Sequence, residues 1–163
     1  MRQQILFMLD RTNLKLAVAE SLTAGKVSAL IASESGISKY YQGSVTAYTC
    51  DIKNKVLGVD KEWLDKNGPY NKETVEQMCD GVMKLMNADV AVATSGVAGP
   101  GDDGDVIEGT VYICVKIKDK YYHMNYRSMY KNNREKIREE AAELAVQELQ
   151  ASLLEYIKEN GLF

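Results

Sequence analysis

The chain is poor in the residues from which most metal and redox sites are built: among 163 residues there are one histidine and three cysteines. Cys50, Cys79 and Cys114 are odd in number, far apart and without a C-x-x-C pair, which argues against a disulfide framework or a zinc knuckle and predicts reduced thiols. His123 sits in "DKYYHMNYRS", where bulky residues alternate as in a strand. A lone strand histidine excludes His-rich metal sites and leaves one candidate at most for a His-dependent triad. A basic excess is lacking as well. The 20 Lys and Arg are interspersed with 23 Asp and Glu for a net charge of -3, so there is no electrostatic footprint for nucleic acid. No run approaches the ~20 apolar residues that span a bilayer. The start, "MRQQILFMLDRTN", has a single short apolar run and no small-residue cleavage site. A cytoplasmic protein with no membrane partner is the expectation.

What is present fits one globular domain over residues 1–163, with 45% hydrophobic and 26% charged residues and no repeat, linker or low-complexity tract. Residues 2–10 read as a short amphipathic helix, and "LKLAVA" as a buried strand ending at Glu20. "SLTAGKVSALIASES" has helical spacing, with Ser21 or Thr23 able to cap its first turn. "GSVTAYT" alternates like a strand, "DIKNKVLGV" restarts as a helix with Asp51 as cap, and "KEWLDKN" is a second short helix ending at Gly68. Asn71 caps a helix through "NKETVEQMCDGVMKLMN"; "ADVAVATSG" is a buried strand breaking into the glycine- and acid-rich "GVAGPGDDGD". A hairpin turning near Lys118 to Lys120 and a long amphipathic helix over 132–158 complete the chain. The predicted fold class is α/β, a three-layer α/β/α sandwich on a mixed, mainly parallel sheet. In such sheets the loops leaving the strands' carboxyl ends converge on a crevice. Here these are "ESLTAG", "AYTCDIK" and "TSGVAGPGDDG".

Taken singly, the motifs are ambiguous. A Ser beside a helix start is an N-cap more often than a nucleophile. The glycine-rich segment matches neither the P-loop nor the dinucleotide fingerprint. Asp102, Asp103 and Asp105 lack EF-hand spacing and read as a solvated acidic loop. Ser128 to Lys131 match S-x-x-K, with no second element of that set. Tyr48 and Lys53 say more, because a Tyr at a strand end and a Lys in the next helix can lean into the same crevice as Ser21. Their spacing of five and the missing Rossmann glycine turn separate them from short-chain dehydrogenases.

Together the segments resemble the CinA C-terminal domain family, whose stand-alone members are PncC-like nicotinamide mononucleotide deamidases. The family's A-E-S-C-T-G-G is similar to "AESLTAG", its Y-x-N-x-x-K and L-G-V to "YTCDIKNKVLGV", its S-G-I-A-G-P-x-G to "SGVAGPGDDG", and its G-T-V-Y to Gly109 to Tyr112. "NREKIR" is similar to its final G-x-R-x-x-[IV]-R. The resemblance covers residues 3–157, so the amidase module is expected here without the N-terminal domain of longer members. Departures are Leu22 for a Cys, Ala24 for the first Gly, Asn71 for a Ser, and "DVIEGT", with Glu108, for a Lys-Pro-x-Gly-Thr loop.

The resemblance implies hydrolysis of the carboxamide of nicotinamide mononucleotide to nicotinate mononucleotide and ammonia, without metal or cofactor. Ser21 would be the nucleophile, Lys53 the base and Tyr48 an orienter or relay. Lys53 would need a lowered pKa. Backbone N–H groups of Leu22, Thr23, Ala24 and Gly25 would receive the oxyanion. Ser95, Gly96, Gly99 and Gly101, with Arg134 as charged partner, would meet the phosphate. The partner is thus a small mononucleotide, and self-association is a further expectation. A catalytically silent nucleotide- or partner-binding protein and a hydrolase of another small amide are the alternatives. A metal-dependent phosphoesterase ranks lower.

Overall fold

The computed structural model describes residues 1–163. Its elements run α1 (Arg2–Thr12), β1 (Leu16–Glu20), α2 (Lys26–Ala32), a 3-10 turn (Ile37–Lys39), β2 (Tyr41–Thr46), α3 (Cys50–Leu57), α4 (Lys61–Asn67), α5 (Lys72–Met86), β3 (Val90–Gly96), β4 (Thr110–Ile117), β5 (Lys120–Arg127) and α6 (Arg134–Glu159). The five strands lie in the order β2-β1-β3-β4-β5. Strands β1, β2 and β3 are parallel, and β4 is antiparallel to both β3 and β5. Four strands therefore point one way and only β4 opposes them, the mixed, mainly parallel sheet that the sequence predicts. The long crossovers around β1–β3 need covering helices; β4 to β5 needs only the Lys118–Asp119 turn, where Lys118 takes φ 54.

The pleat explains the layers. Leu16 and Val18 of β1, Val90 and Val92 of β3 and Val111 to Ile117 at alternate positions of β4 face α1, α2 and α6. Ala17, Ala19, Ala91 and Ala93 face the other way, toward α5, with Val75, Met78 and Val82 filling the space the alanines leave. Each of the buried valines, leucines, isoleucines and methionines contributes about 1.5–3 kcal/mol relative to exposure. Helix α3 rests on α5 at Gly81, where a Cβ would stand 1.9 Å from the Leu57 carbonyl oxygen. Only glycine permits that approach. Cys79 and Cys114 are buried free thiols, and burial pushes the Cys79 pKa up. No helix is long and apolar enough to cross a membrane.

Two caps differ from expectation. Helix α3 is capped by Thr49, whose hydroxyl accepts from the Ile52 amide at 3.3 Å, leaving Asp51 in the first turn beside the macrodipole. Asn71 does cap α5, accepting from Thr74 N at 2.9 Å. Helix α2 starts at Lys26 rather than Ser21, so neither Ser21 nor Thr23 is its N-cap. Ala24 (φ 44) and Gly25 (φ 97) are left-handed and hold residues 21–25 in a turn that cannot be helical.

Candidate active site

Strand β1 lies between β2 and β3, and the chain leaves it to one side through α2 and returns on the other through α3 to α5. The carboxyl ends of β1, β2 and β3 therefore share one edge, where a doubly wound sheet opens its crevice. The three loops singled out in the sequence meet there.

The turn after β1 is tied at four points. Glu20, fully buried, turns its carboxylate onto the start of α2 and accepts from Val27 N at 2.9 Å and Ser28 N at 3.1 Å. A carboxylate at a helix N-terminus satisfies orphan donors and complements the dipole. Thr94 of β3 accepts from Ser21 N at 3.3 Å and shares a 2.8 Å hydrogen bond with the Thr23 hydroxyl. Ala24 N closes onto Ser21 O at 3.1 Å. Arg138 of α6 donates to Leu22 O at 2.8 Å and Thr23 O at 3.4 Å. Because a trans peptide sets C=O and N–H on opposite sides, holding Leu22 O against Arg138 aims Thr23 N–H the other way. The N–H groups of Leu22 and Thr23 have no acceptor within the protein, whereas that of Ala24 is spent on Ser21 O. Leu22 itself is buried, its side chain against Gly96.

Lys53 lies on the buried face of α3, one turn before Leu57, and is 1% exposed. Its Nζ donates to Ser21 Oγ at 2.9 Å, Ala47 O at 2.9 Å and Tyr48 O at 3.2 Å. Burial pushes its pKa down from 10.5 to about 8, with no carboxylate paired to it. When the ammonium loses its proton, the two carbonyls hold the two remaining N–H groups and the lone pair is left facing Ser21 Oγ. A buried amine so held can take the proton of a serine hydroxyl.

The mouth is built differently from the sequence expectation. Tyr48 contributes its main-chain carbonyl to Lys53, while the residue is 52% exposed and its phenol oxygen accepts from Arg134 Nη2 at 2.7 Å. Its backbone carbonyl holds Lys53, and its phenol makes no hydrogen bond to Lys53 or Ser21 in this arrangement. Arg134, at the start of α6, also donates to Gly99 O and so straps two loops together. Ser95 does not face the mouth: it is fully buried on the α5 side of the sheet and donates to Pro69 O at 2.8 Å. Gly96 belongs to the ladder opposite Val111, where a Cβ would stand 2.5 Å from Thr110 O. Both serve packing. Gly99 and Gly101 do reach the mouth, but the Gly101 amide donates to Glu108 Oε2 at 3.4 Å. Tyr70 donates to Asp103 at the same rim, with its pKa pushed up by burial and then by that carboxylate. No cluster of three His, Cys, Asp or Glu side chains is arranged to hold a metal ion. His123 is remote from this edge, paired with Glu76 at 2.6 Å.

Glu20, Thr94 and Arg138 are the supporting residues that sequence reasoning did not single out. Glu20 and Arg138 sat inside the matched motifs, adjacent to Ser21 and at the last Arg of "NREKIR". Thr94 has no sequence signal, since its role arises from β1 and β3 being neighbours.

A family profile for the CinA C-terminal domain matches residues 1–153. A CinA-like protein of Thermosipho melanesiensis is 40% identical over 128 residues, 78% of this chain and 32% of its own length. One of Thermotoga neapolitana is 34% identical over 162 residues, 99% of this chain and 38% of its own length. The chain thus spans about a third of the length of these curated relatives. Among solved structures, a competence-damaged protein (CinA) superfamily protein of Klebsiella pneumoniae superposes with a TM-score of 0.88 at 25% identity, covering 94% of this chain and 96% of that one. A competence/damage inducible protein of Agrobacterium tumefaciens superposes with a TM-score of 0.86 at 28% identity, covering 92% of each. The profile match and the turn, lysine loop and glycine loop gathered on one edge agree: the chain belongs to the CinA C-terminal domain family.

Proposed function

We propose that the chain is a serine amidohydrolase that converts nicotinamide mononucleotide to nicotinate mononucleotide and ammonia. The observation that carries this is the 2.9 Å contact between Lys53 Nζ and Ser21 Oγ, with Lys53 buried and otherwise bound only to two carbonyls. Neutral Lys53 takes the Ser21 proton as Oγ attacks the carboxamide carbon. The oxyanion forms against the free N–H groups of Leu22 and Thr23. The tetrahedral species collapses with cleavage of the C–N bond, Lys53 returning its proton to the departing nitrogen, which leaves as ammonia. A water, deprotonated by Lys53, then attacks the acyl-Ser21 ester; as the C–O bond breaks, Lys53 returns that proton to Ser21 Oγ, and the product leaves as the acid and ionises to the carboxylate. No step requires a metal.

The test is to incubate the protein with nicotinamide mononucleotide and follow nicotinate mononucleotide and ammonia together, beside Ser21→Ala. Turnover reduced at least about 10³-fold in the variant supports the nucleophile assignment. Full activity in Ser21→Ala overturns it. Absence of turnover by folded wild-type protein would overturn this substrate and leave a changed substrate or a silent binding protein. A hydrolase of another small amide is the second reading, favoured by the Glu108 carboxylate at the mouth, and ammonia from a different amide would establish it.

A further inference from the structure

Where the mouth could hold an anion, it already holds one. Gly101 (φ 83) and Asn132 (φ 51) are both left-handed, and their backbone N–H groups, which come from two different loops, are aimed at one side chain. Between them lies the Glu108 side chain, half-buried, its Oε1 accepting from Asn132 N at 3.0 Å and its Oε2 from Gly101 N at 3.4 Å. Gly99 makes room for it, since a Cβ there would stand 2.5 Å from Glu108 Oε1. Two residues beyond Asn132, Arg134 binds Gly99 O and the Tyr48 phenol, so this cradle adjoins the loop that supplies Lys53 with two acceptors. A guanidinium beside converging N–H groups is the chemistry that receives a phosphate. Glu108 is itself placed by its amide, which donates to Asp102 Oδ1 at 2.8 Å.

We propose that Glu108 is a specificity-determining residue: an internal anion that occupies the cradle at Gly101 and Asn132 and disfavours phosphate-bearing carboxamides relative to their dephosphorylated counterparts. A phosphate must displace the carboxylate or share the mouth with it. A riboside that ends in a hydroxyl meets neither obstacle. The inference rests on the amidohydrolase reading for its substrate class.

The experiment measures kcat and KM for nicotinamide mononucleotide and nicotinamide riboside with wild type, Glu108→Val and Glu108→Gln, and the affinity of both ligands by calorimetry. In wild type the riboside should be used with the higher kcat/KM. In Glu108→Val the preference for the mononucleotide should rise about tenfold, through KM rather than kcat, as expected for loss of a like charge and a competing acceptor. Glu108→Gln, which keeps the shape and removes the charge, should move the same way and covers the case that the valine variant fails to fold. A rise below threefold in a folded variant overturns the proposal. If no ammonia appears from either compound but the binding ratio shifts as stated, the hydrolase reading fails and the Glu108 assignment stands. If turnover occurs and the ratio is unmoved, the reverse holds; binding of neither compound overturns both.

Discussion

Lys53 should make this protein more stable as the solution becomes more alkaline. In the unfolded chain its pKa returns to the ordinary 10.5, whereas in the fold burial holds it at about 8. Below pH 8 the lysine is charged in both states, and the fold carries the full penalty of the buried ammonium. The displacement from 10.5 to about 8 corresponds to about 3 kcal/mol, at 1.36 kcal/mol per tenfold change in proton affinity. Between pH 8 and 10.5 the unfolded chain binds a proton that the folded chain has released, so the unfolding free energy rises with pH and the penalty disappears. The perturbation is Lys53→Met, compared with wild type by thermal unfolding at several pH values from 7 to 10. Methionine leaves Ala47 O and Tyr48 O without their donor, but that loss does not depend on pH and cancels from the slope. The other titrating groups are common to both proteins and cancel as well. At roughly 2–4 °C per kcal/mol for a chain of this size, the wild type should gain about 5–10 °C on the variant across the range. The same group sets the activity profile, so kcat/KM should rise with pH and level off above about 8. A temperature difference that stays flat with pH would refute the reasoning, since Lys53 would then keep its ordinary pKa in the fold and be too protonated to act as base near neutrality.

Arg138→Ala should lower kcat about 10- to 100-fold with little change in KM, because Leu22 O and Thr23 O lose the donor that aims the Thr23 N–H; Arg138→Lys should recover part of it. Ala24→Gly should raise Tm by about 2–4 °C, from about 1 kcal/mol of relieved left-handed strain read in a melting curve. Thr94→Val should cost about 1–3 kcal/mol in denaturant unfolding, because the buried Thr23 hydroxyl and Ser21 N–H lose their common partner. Gly81→Ala should lower both stability and kcat, since a Cβ cannot pass the Leu57 carbonyl and α3 must carry Lys53 away from Ser21; unchanged melting would show that α3 is free to shift.

The order of helices and strands was legible because apolar period and punctuation agree along most of the chain, as in the alternation of Leu16 to Ala19 and the asparagine ahead of α5. The start of α2 was not. "SLTAG" has nothing that forbids a helix, and what excludes one is the left-handed backbone at Ala24, a residue that rarely adopts it. The capping group of that helix lies upstream, on the strand, in a glutamate whose neighbours suggest burial without partners.

The same asymmetry divides the site. Ser21 and Lys53 could be matched through the family's motifs because each sits near the end of an element whose position the sequence encodes locally, and the sheet order then brings the ends together. Ser95 and Gly96 were misread because a strand's last residues alternate between the two faces, and which face meets the crevice depends on neighbouring strands. Glu108 was visible only as a departure in charge. Its partners are the amides of Gly101 and Asn132, 7 residues before it and 24 after, and no sequence pattern relates a carboxylate to N–H groups exposed by backbone conformation. What a local pattern can carry is the reacting pair; what decides the substrate is held by contacts between loops, and there Glu108 rather than the glycines sets the charge that a ligand meets.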